Sequence, residues 1–516
     1  MIMPRETTPL RMKIPVDEEP LLSPKARAAM ARAREAQEKW SKQTLTKRLA
    51  LVRELRRLIA LYDMELATAS ASARGRPVRE ALTAEVLPLA EACRFLEREG
   101  RRALAPRRLG KAGRPAWLPG VSRMVYREPF GVVLVIGPGN YPLLLPGVQT
   151  IQALTAGNAV FLKPGRGGFA SAKLLVDLIL RAGFDARLVT LLSESIGEAS
   201  AIVAARPDKV VFTGSAATGR KILRQLAGEL IPSTMELSGC DAVIIRADAD
   251  LDLAARALRF GLTLNDGATC MSPKRVFVPA SRAVEFEECL TRILAPVATE
   301  GRPGRASGGL APTQLGETNL PLLVREALAG GARLVCGRVE PEGIVQTPLV
   351  LWGVPPTSCF LRADVFGSAL AVIIVGDDQE ALRRANDCPF ALGAGIFSRD
   401  EVAARELAFG LNVGVVTIND LIVPTADAAL PFGGRGRSGF GVTRGPEGLL
   451  ELTTPKVVTV TRGRFRPAFE APRAGDERLF HCCMQLAHGR GLITRLGGLI
   501  SLVRAVLSRR KRLSEA

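Results

Sequence analysis

The sequence contains very little histidine. Only two histidines occur among 516 residues, His481 and His488, and both lie near the C-terminus outside the apolar segments. Catalytic arrangements of the Ser-His or Cys-His kind and His-rich metal sites therefore have little support. The adjacent cysteines Cys482 and Cys483 lack the Cys-x-x-Cys spacing of zinc sites, which argues against a zinc centre, and we expect no metal. A general base must be another residue type.

Aromatic residues are scarce as well, with three Trp and three Tyr. The formal net charge of +19 suggests nucleic-acid binding, but the basic residues are spread along the chain and no stacking-aromatic motif accompanies them. We therefore expect no nucleic-acid partner. Phosphate-rich small ligands remain compatible with this charge.

A secretory signal is also lacking, because residues 1–17 contain no apolar stretch of the required kind. The nine cysteines are an odd number, which argues against a disulfide framework. Together these features predict a reducing, cytoplasmic location. The length, with 47% hydrophobic residues, exceeds one core and predicts two or three domains.

From Phe130 onward, short apolar strands alternate with helices. The stretch from Phe130 to Leu162 has no charged residue, but glycines and prolines interrupt it, which favours buried strands around a loop and a helix over a membrane span. Four strands are predicted at 132–136, 158–162, 188–192 and 209–213. Such strands pair in parallel and bind ligands beyond their carboxyl ends, where Asn140, Lys163 and Gly214 fall.

A second α/β series runs from about Gly239 to Asn419, with strands predicted at 242–246, 274–278, 370–375 and 414–418. It contains Cys270, which lies 34 residues after Glu236 in a similar Gly-punctuated, apolar setting. Two α/β lobes predict a cleft between a cofactor-binding side and a side that presents a nucleophile.

Cys270 and Glu236 are a candidate catalytic pair. A deprotonated thiol is a covalent nucleophile, and a half-buried glutamate is able to take a proton from water, a combination typical of acyl transfer through a thioester. Asn140, on a Pro-bracketed loop, suits an oxyanion donor. Taken alone, a cysteine of this kind is structural more often than catalytic, and a glutamate such as Glu236 pairs with an arginine more often than it acts as a base. Beside Cys270, the catalytic role of Glu236 is favoured.

The ordered motifs carry a resemblance. They are Gly137-Pro138-Gly139-Asn140-Tyr141-Pro142, Leu162-Lys163-Pro164, Phe212 to Gly219, Glu236-Leu237-Ser238-Gly239, the Cys270 segment, Asp364-Val365-Phe366-Gly367, Val415 to Asn419 and Pro431-Phe432-Gly433-Gly434 through Ser438-Gly439. Over roughly residues 77–456 the chain resembles the aldehyde dehydrogenase superfamily. The resemblance implies an α/β fold, with a Rossmann-like parallel-sheet cofactor domain, a second α/β catalytic domain and a small β oligomerisation element.

The domain bounds expected from this resemblance are 1–110 with 128–238 for the helices and cofactor domain, and 239–440 for the catalytic domain. Residues 111–127 and 441–462 are expected to bridge and to oligomerise. We expect subunit pairing at the strands near 122–128 and 457–462, and therefore a homo-oligomer. Residues 463–516 form a basic amphipathic tail beyond the resemblance.

The resemblance also implies a mechanism and a set of site residues. The Cys270 thiolate adds to an aldehyde, Asn140 and the Cys270 backbone N–H bind the resulting oxyanion, hydride passes to NAD or NADP, and Glu236 activates water to release a carboxylic acid. The cofactor-binding residues implied are Lys163, Arg166, Gly214, Ser215, Gly219, Leu237, Asp364 and Phe366. For Gly214 and Gly219, a helix-entry turn and close helix packing remain alternatives.

Several residues depart from the family pattern. Arg166 stands where the family commonly has a glutamate on the adenosine ribose, and an arginine suits a 2′-phosphate, which gives the hypothesis of NADP use or dual specificity. A solvated surface arginine explains Arg166 equally well. Ser238 and Cys240 replace the usual Gly and Lys, and Asp364 shortens a ribose-binding Glu. The aldehyde itself is not identified.

Three alternatives stay open. The thioester is also compatible with transfer to coenzyme A or with an acyl-reducing enzyme, although Glu236 favours water. A catalytically idle scaffold tethered by its tail is the third. In the tail, Leu492, Ile493, Leu496, Leu499, Ile500, Val503 and Val506 recur at helical spacing before a basic run, which fits peripheral contact with the inner face of a membrane or packing against protein.

Overall fold

The computed structural model describes residues 23–115, 118, 120–299, 320–339, 345–462, 469 and 476–514. Residues 1–17, on which the expectation about a secretory signal rests, lie outside this range. The α-helices are α1 (Pro24–Ser41), α2 (Leu45–Leu61), α3 (Asp63–Arg74), α4 (Val78–Ala81), α5 (Leu87–Leu104), α6 (Leu144–Ala156), α7 (Phe169–Arg181), α8 (Ile196–Ala204), α9 (Ala216–Ala227), α10 (Leu251–Thr263), α11 (Ala283–Thr299), α12 (Leu320–Ala329), α13 (Asp378–Asn386), α14 (Glu401–Gly410), α15 (Gly445–Leu450), α16 (Asp476–His488) and α17 (Leu492–Ser514).

The β-strands of the described residues form four sheets. They are β1 (Arg107–Leu109), β2 (Val121–Pro129), β3 (Val132–Ile136), β4 (Ala159–Lys163), β5 (Val189–Leu191), β6 (Lys209–Gly214), β7 (Ser233–Leu237), β8 (Asp241–Ile245), β9 (Pro273–Pro279), β10 (Arg333–Val339), β11 (Val345–Trp352), β12 (Ala369–Val375), β13 (Phe390–Ala391), β14 (Gly393–Phe397), β15 (Val415–Ile418), β16 (Arg435–Gly436), β17 (Gly439–Phe440) and β18 (Thr453–Thr461). The predicted α/β fold class is confirmed.

The first large sheet has the order β17-β7-β6-β3-β4-β5, and β17 is its one antiparallel strand in the described chain. After β3 the chain adds β4 and β5 on one side, then crosses over to add β6 and β7 on the other. The order therefore reverses between β3 and β6, which is where open α/β sheets bind ligands. The uncharged stretch from residue 130 to 162 forms β3, α6 and most of β4, all buried.

The second large sheet has the order β10-β11-β12-β9-β8-β14-β15, parallel except for β10 against β11. Both of its faces are covered, since separate apolar clusters that include Ile244 and Ile245 lie on opposite sides of β8. Cys270 precedes β9 and therefore lies at the amino ends of β8 and β9. The rule that ligands bind beyond the carboxyl ends of parallel strands therefore predicts the position of the loops of the first sheet. It does not predict the position of Cys270.

Contacts divide the chain into two compact units, one of residues 1–107 and 125–457 and the other of residues 108–124 and 458–516. The first unit contains both large sheets, and residues 238–240 connect β7 of one sheet to β8 of the other. The predicted domain bounds themselves stay a prediction. A further sheet has the order β1-β2-β18.

In the second unit, the tail forms a helical hairpin of α16 and α17. Gly498 permits their close approach, because a Cβ at this position would lie 2.7 Å from the backbone nitrogen of Leu486. The predicted apolar stripe from Leu492 to Val503 is exposed rather than packed. The side chain of Val506 lies outside the described part. None of the helices that the structure describes is long and apolar enough to cross a membrane.

Candidate active site

A crevice lies at the carboxyl ends of β3, β6 and β7. Its lining residues are Pro138, Gly139, Asn140, Leu145, Arg166, Thr213, Gly214, Ser215, Glu236, Leu237, Ser238, Cys270, Asp364 and Phe366. We call it the dinucleotide crevice. It brings together all the predicted site residues except Lys163 and Gly219. The crevice thus brings together residues as far apart in the sequence as Pro138 and Phe366.

Glycine backbone shapes this crevice. A Cβ on Gly165 would lie 2.1 Å from the carbonyl carbon of Pro138, so the loops after β3 and β4 approach each other as only glycine allows. A Cβ on Gly219 would lie 2.8 Å from the side chain of Leu237. Gly219 therefore permits close packing of α9 against a crevice wall. A dinucleotide fits such a site, because its pyrophosphate needs close backbone approach next to a helix N-terminus, here that of α9 capped by Ser215.

Lys163 and Arg166 lie at and just beyond the carboxyl end of β4, and Arg166 lines the crevice. Lys163 ends β4, and burial lowers the pKa of its ammonium group while the Glu194 carboxylate opposes that change. Arg166 is exposed. Glu194 accepts hydrogen bonds from the backbone N–H groups of Gly167 and Phe169 at 2.9 and 3.0 Å. One anion and two cations thus stand where the adenosine ribose is expected. No motif indicated Glu194 in the sequence.

Cys270 is half-buried in a tight turn, which a hydrogen bond from Ser272 N to Thr269 O closes at 2.9 Å. The preceding loop is strained, because Asn265 and Asp266 have φ values of 51° and 52°. Such left-handed conformations cost on the order of 1–3 kcal/mol for residues other than glycine and persist only where the surroundings impose them. This loop therefore fixes where the thiol is presented.

Asn140 is tied to the same loop. Its Nδ2 donates to Ala268 O at 3.0 Å, and Asn265 Nδ2 donates to Asn140 O at 2.9 Å. The neighbouring Tyr141 hydroxyl lies 2.6 Å from Thr269 Oγ1. Because both hydrogen-bond networks join the loop after β3 to the Cys270 turn, the amide and the thiol are held in a fixed relation.

Glu236 lies on β7, a strand that the sequence did not predict, and is buried. Its Oε2 accepts a hydrogen bond from the Thr443 hydroxyl at 3.0 Å, while its Oε1 is buried without a partner in the described chain. Burial raises the pKa of the Glu236 carboxyl, and Arg444 and the Thr443 hydrogen bond oppose this. A carboxylate in this environment is a stronger base than one in water.

A second cavity adjoins the crevice, with a volume of about 320 Å³. We call it the apolar cavity. Its lining residues are Thr83, Ala84, Pro88, Tyr141, Leu144, Leu145, Glu236, Phe260, Leu264, Thr269, Cys270, Met271, Ile422, Val423, Thr425, Ala426, Phe432 and Arg444. Only Leu145, Glu236 and Cys270 line both spaces. The thiol and the carboxylate thus stand between the dinucleotide crevice and a space suited to an apolar small molecule.

The apolar surroundings of Cys270 disfavour ionisation of its thiol. Burial raises its pKa well above the ordinary value, and the charges of Glu236 and Asp241 raise it further. Arg444 and the Met271 backbone N–H act in the opposite direction. Formation of a thiolate therefore requires a nearby base, a nearby cation, or both.

Sequence reasoning missed Thr443 and Arg444. They follow the Ser438-Gly439 motif, but nothing in their spacing indicated that α15 begins against β7. Arg444 is buried, with φ of 61°, and its guanidinium carbon lies 4.5 Å from the centre of the Phe432 ring. A buried arginine next to a predicted catalytic pair is a signal that only the folded chain provides.

The chain matches the aldehyde dehydrogenase family over residues 20–458. It is 32% identical to the 4,4'-diapolycopene aldehyde oxidase of Methylomonas sp over 435 residues, which cover 84% of this chain and 81% of that protein. The chain belongs to the aldehyde dehydrogenase family. The predicted superfamily and enzyme class are confirmed.

Solved structures agree in fold and in cofactor class. An aldehyde dehydrogenase of Mycobacterium tuberculosis complexed with NAD+ superimposes with a TM-score of 0.76 at 26% identity, covering 86% of this chain and 91% of that one. An NADP-dependent glyceraldehyde-3-phosphate dehydrogenase of Bacillus halodurans C-125, complexed with NADP, gives 0.75 at 27% identity, covering 85% and 91%. This aldehyde dehydrogenase uses NAD or NADP and oxidises an aldehyde.

Proposed function

We propose that this enzyme oxidises an apolar aldehyde to its carboxylic acid through a thioester on Cys270. The observation that supports the proposal most directly is that Cys270 and Glu236 line both the dinucleotide crevice and the apolar cavity. A reacting carbon at that junction reaches the nucleophile, the base and the cofactor from one position.

The dinucleotide is held by crevice residues in this proposal. Gly214 and Ser215 face the pyrophosphate at the start of α9, Lys163, Arg166 and Glu194 surround the adenosine ribose, and Leu237, Asp364 and Phe366 lie toward the nicotinamide half. When bound, NAD or NADP supplies the hydride acceptor that allows the Cys270 adduct to become a thioester.

In the first step, Cys270 adds to the aldehyde carbon and an oxyanion develops. The Asn140 side-chain amide and the Cys270 backbone N–H stabilise this oxygen. Removing one such donor typically costs ~3 kcal/mol of transition-state stabilisation. Because Asn140 is already tied to Ala268, the donor needs little reorganisation when charge develops.

In the second step, Glu236 takes a proton from the water that attacks the thioester, and the C–S bond breaks to release the carboxylic acid and the Cys270 thiolate. Thr443 holds one carboxylate oxygen, and the raised pKa makes the carboxylate a competent base. The presence of this base favours water over coenzyme A as the acyl acceptor. Transfer to coenzyme A and acyl reduction remain the rival functions of the same fold.

The substrate class follows from the walls of the apolar cavity. Leu144, Phe260, Met271, Ile422 and Phe432 are among its apolar lining residues, and Phe260 and Val423 are exposed at the surface of the protein. An aldehyde with a hydrocarbon body gains free energy there through burial. The relative from Methylomonas sp is named 4,4'-diapolycopene aldehyde oxidase, and this name supports an aldehyde as the substrate.

An aldehyde panel tests the proposal. We expect NAD(P)H absorbance to increase with long aliphatic or polyene aldehydes and much less with a charged semialdehyde, and we expect Cys270→Ala to abolish it. Mass spectrometry of the quenched enzyme should find the acyl group on Cys270. Equal turnover of the charged and apolar aldehydes would disprove the apolar preference, and activity that survives Cys270→Ala would disprove the thioester.

We also propose peripheral membrane contact through the tail and assembly of a homo-oligomer through β18. The exposed apolar residues of α17 and its basic residues support the first. The exposed valines of β18, an edge strand, support the second. The predicted cytoplasmic location stays a prediction.

A further inference from the structure

Arg444 occupies an unusual position for a charged residue. It lines the apolar cavity together with Cys270 and Glu236, and its side chain is buried over the Phe432 ring. Its Nη1 donates a hydrogen bond to Thr425 O, and its Nε has no hydrogen-bond partner in the described chain. A buried guanidinium without full compensation is costly, so its retention needs a physical reason.

The reason lies in the charges that the reaction requires. The proposed mechanism places two anions, the Cys270 thiolate and the Glu236 carboxylate, in an apolar cavity where each is disfavoured by desolvation and by repulsion from the other. Asp241 adds to the repulsion at Cys270, although burial raises the pKa of its own carboxyl. A cation facing the same space offsets these costs.

The backbone supports this function of Arg444. Thr443, the preceding residue, donates to Glu236 Oε2, so the segment that holds the general base also carries the cation. The positive φ of Arg444 directs this segment into the start of α15. A strained backbone at a residue other than glycine is retained where the surrounding structure and the function require it.

We propose that Arg444 is the charge partner that sustains the ionised forms of Cys270 and Glu236. This inference rests on the proposed function, and it assigns Arg444 as a positioning residue that acts through these two groups. It does not require Arg444 to contact the aldehyde. The other titratable groups that face this site are Asp241 and Tyr141 near Cys270 and Asp427 near Arg444.

The direction of the effect is clear from the electrostatics. Burial raises the pKa of the Cys270 thiol and of the Glu236 carboxyl, and Arg444 opposes both changes. Burial also lowers the pKa of the Arg444 guanidinium, and Glu236 and Cys270 oppose that change. Removing the cation should raise the pKa of the thiol. Alkylation by iodoacetamide, which requires the thiolate, would then begin at higher pH.

The test is site-resolved alkylation of the full-length enzyme without aldehyde or cofactor. Peptide mass spectrometry follows Cys270 as a function of pH in the wild type, Arg444→Lys and Arg444→Met, with the exposed Cys359 as an internal reference. An opposite charge nearby typically shifts a pKa by about 1–3 units. We expect the midpoint for Cys270 to rise by at least about one pH unit in Arg444→Met and to stay near the wild-type value in Arg444→Lys.

Two further variants serve as controls. Arg399→Met removes an exposed arginine by the same substitution and should leave the midpoint unchanged. Arg444→Gln repeats the neutralisation with a polar side chain if Arg444→Met fails to fold, as judged by the thermal unfolding midpoint. A midpoint for Cys270 that is unchanged in a folded neutral variant would overturn the proposal.

The outcome is distinguishable from failure of the proposed function. Turnover that survives Cys270→Ala would refute the thioester mechanism without affecting the alkylation profile. If the wild type is active and the pH dependence of Cys270 alkylation is the same in the wild type and in the Arg444 variants, this inference alone is refuted.

Discussion

At the scale of single residues, Glu236 governs the expected pH dependence. Burial raises its pKa, so the carboxylate form is lost as the pH falls through the raised value and is fully present above it. We expect kcat to rise with pH across this range. Glu236→Gln should remove this limb and lower kcat by a factor of about 10²–10⁴, the typical contribution of a general base. Steady-state rates from acid to alkaline pH measure both effects.

Pre-steady-state kinetics locate the affected step. In Glu236→Gln, a burst of NAD(P)H should remain while turnover slows, because the base acts on the thioester. Glu229→Gln, at an exposed surface ion pair with Arg206, is the matched control and should keep the wild-type profile. If Glu236→Gln retains the wild-type pH limb, another group is the base.

Arg166 governs the choice of dinucleotide in our hypothesis. It is exposed at the wall of the crevice, and the Glu194 carboxylate stands nearby. Arg166→Glu removes a charge-assisted contact to a 2′-phosphate worth about 1.5–3 kcal/mol. We expect KM for NADP to rise at least about tenfold, while KM for NAD changes little. Initial rates with both cofactors measure this.

Arg224→Glu, at an exposed position of α9, makes the same change in charge outside the crevice and should leave both KM values unchanged. A clear NAD preference that Arg166→Glu does not alter would show that Arg166 is a solvated surface residue.

At the scale of elements, the tail helix α17 carries the proposed membrane contact. Leu492, Ile493 and Leu496 are exposed, and the helix continues into a basic segment. Ile493→Asp places a charge in the apolar face and should reduce co-sedimentation with phosphatidylglycerol-containing vesicles severalfold, because this face loses burial and gains repulsion. Vesicles of phosphatidylcholine alone should bind the wild type more weakly.

Thr494→Asp adds the same charge at the next position and is the matched control. We expect it to weaken binding less than Ile493→Asp does. Equal binding of the wild type and a chain that ends before Gly489 would exclude the tail as a membrane contact.

At the scale of the whole molecule, the exposed edge of β18 predicts assembly with a second copy. Val457, Val458 and Val460 are exposed on this strand. An uncovered apolar edge strand is a template for pairing, which natural proteins cover or charge. The double change Val458→Lys and Val460→Lys should lower the molar mass measured by light scattering, because two like charges then face each other across the interface.

Thr459→Lys, which points to the opposite face of the strand, is the control for added charge. A wild-type molar mass equal to that of one chain would contradict the predicted homo-oligomer.

The amino-acid sequence by itself determined the class of fold and the chemical types at the site. Alternating apolar strands and helices predicted most of both sheets, because burial patterns are local, and β3 was predicted with its bounds unchanged. The motifs around Asn140, Glu236 and Cys270 indicated an aldehyde dehydrogenase. The strand β7 was missed, because its sequence Ser-Thr-Met-Glu-Leu lacks the continuous apolar run of the predicted strands.

Only the tertiary structure decided what surrounds those residues. Thr443, just before α15, donates a hydrogen bond to Glu236, and Arg444 lines the same cavity as Cys270. Glu194 accepts a hydrogen bond from the loop that carries Arg166. Such contacts depend on how distant segments pack, which residue spacing does not encode. The pKa of a buried carboxyl or thiol depends on the same contacts, because desolvation and neighbouring charges are properties of the folded chain.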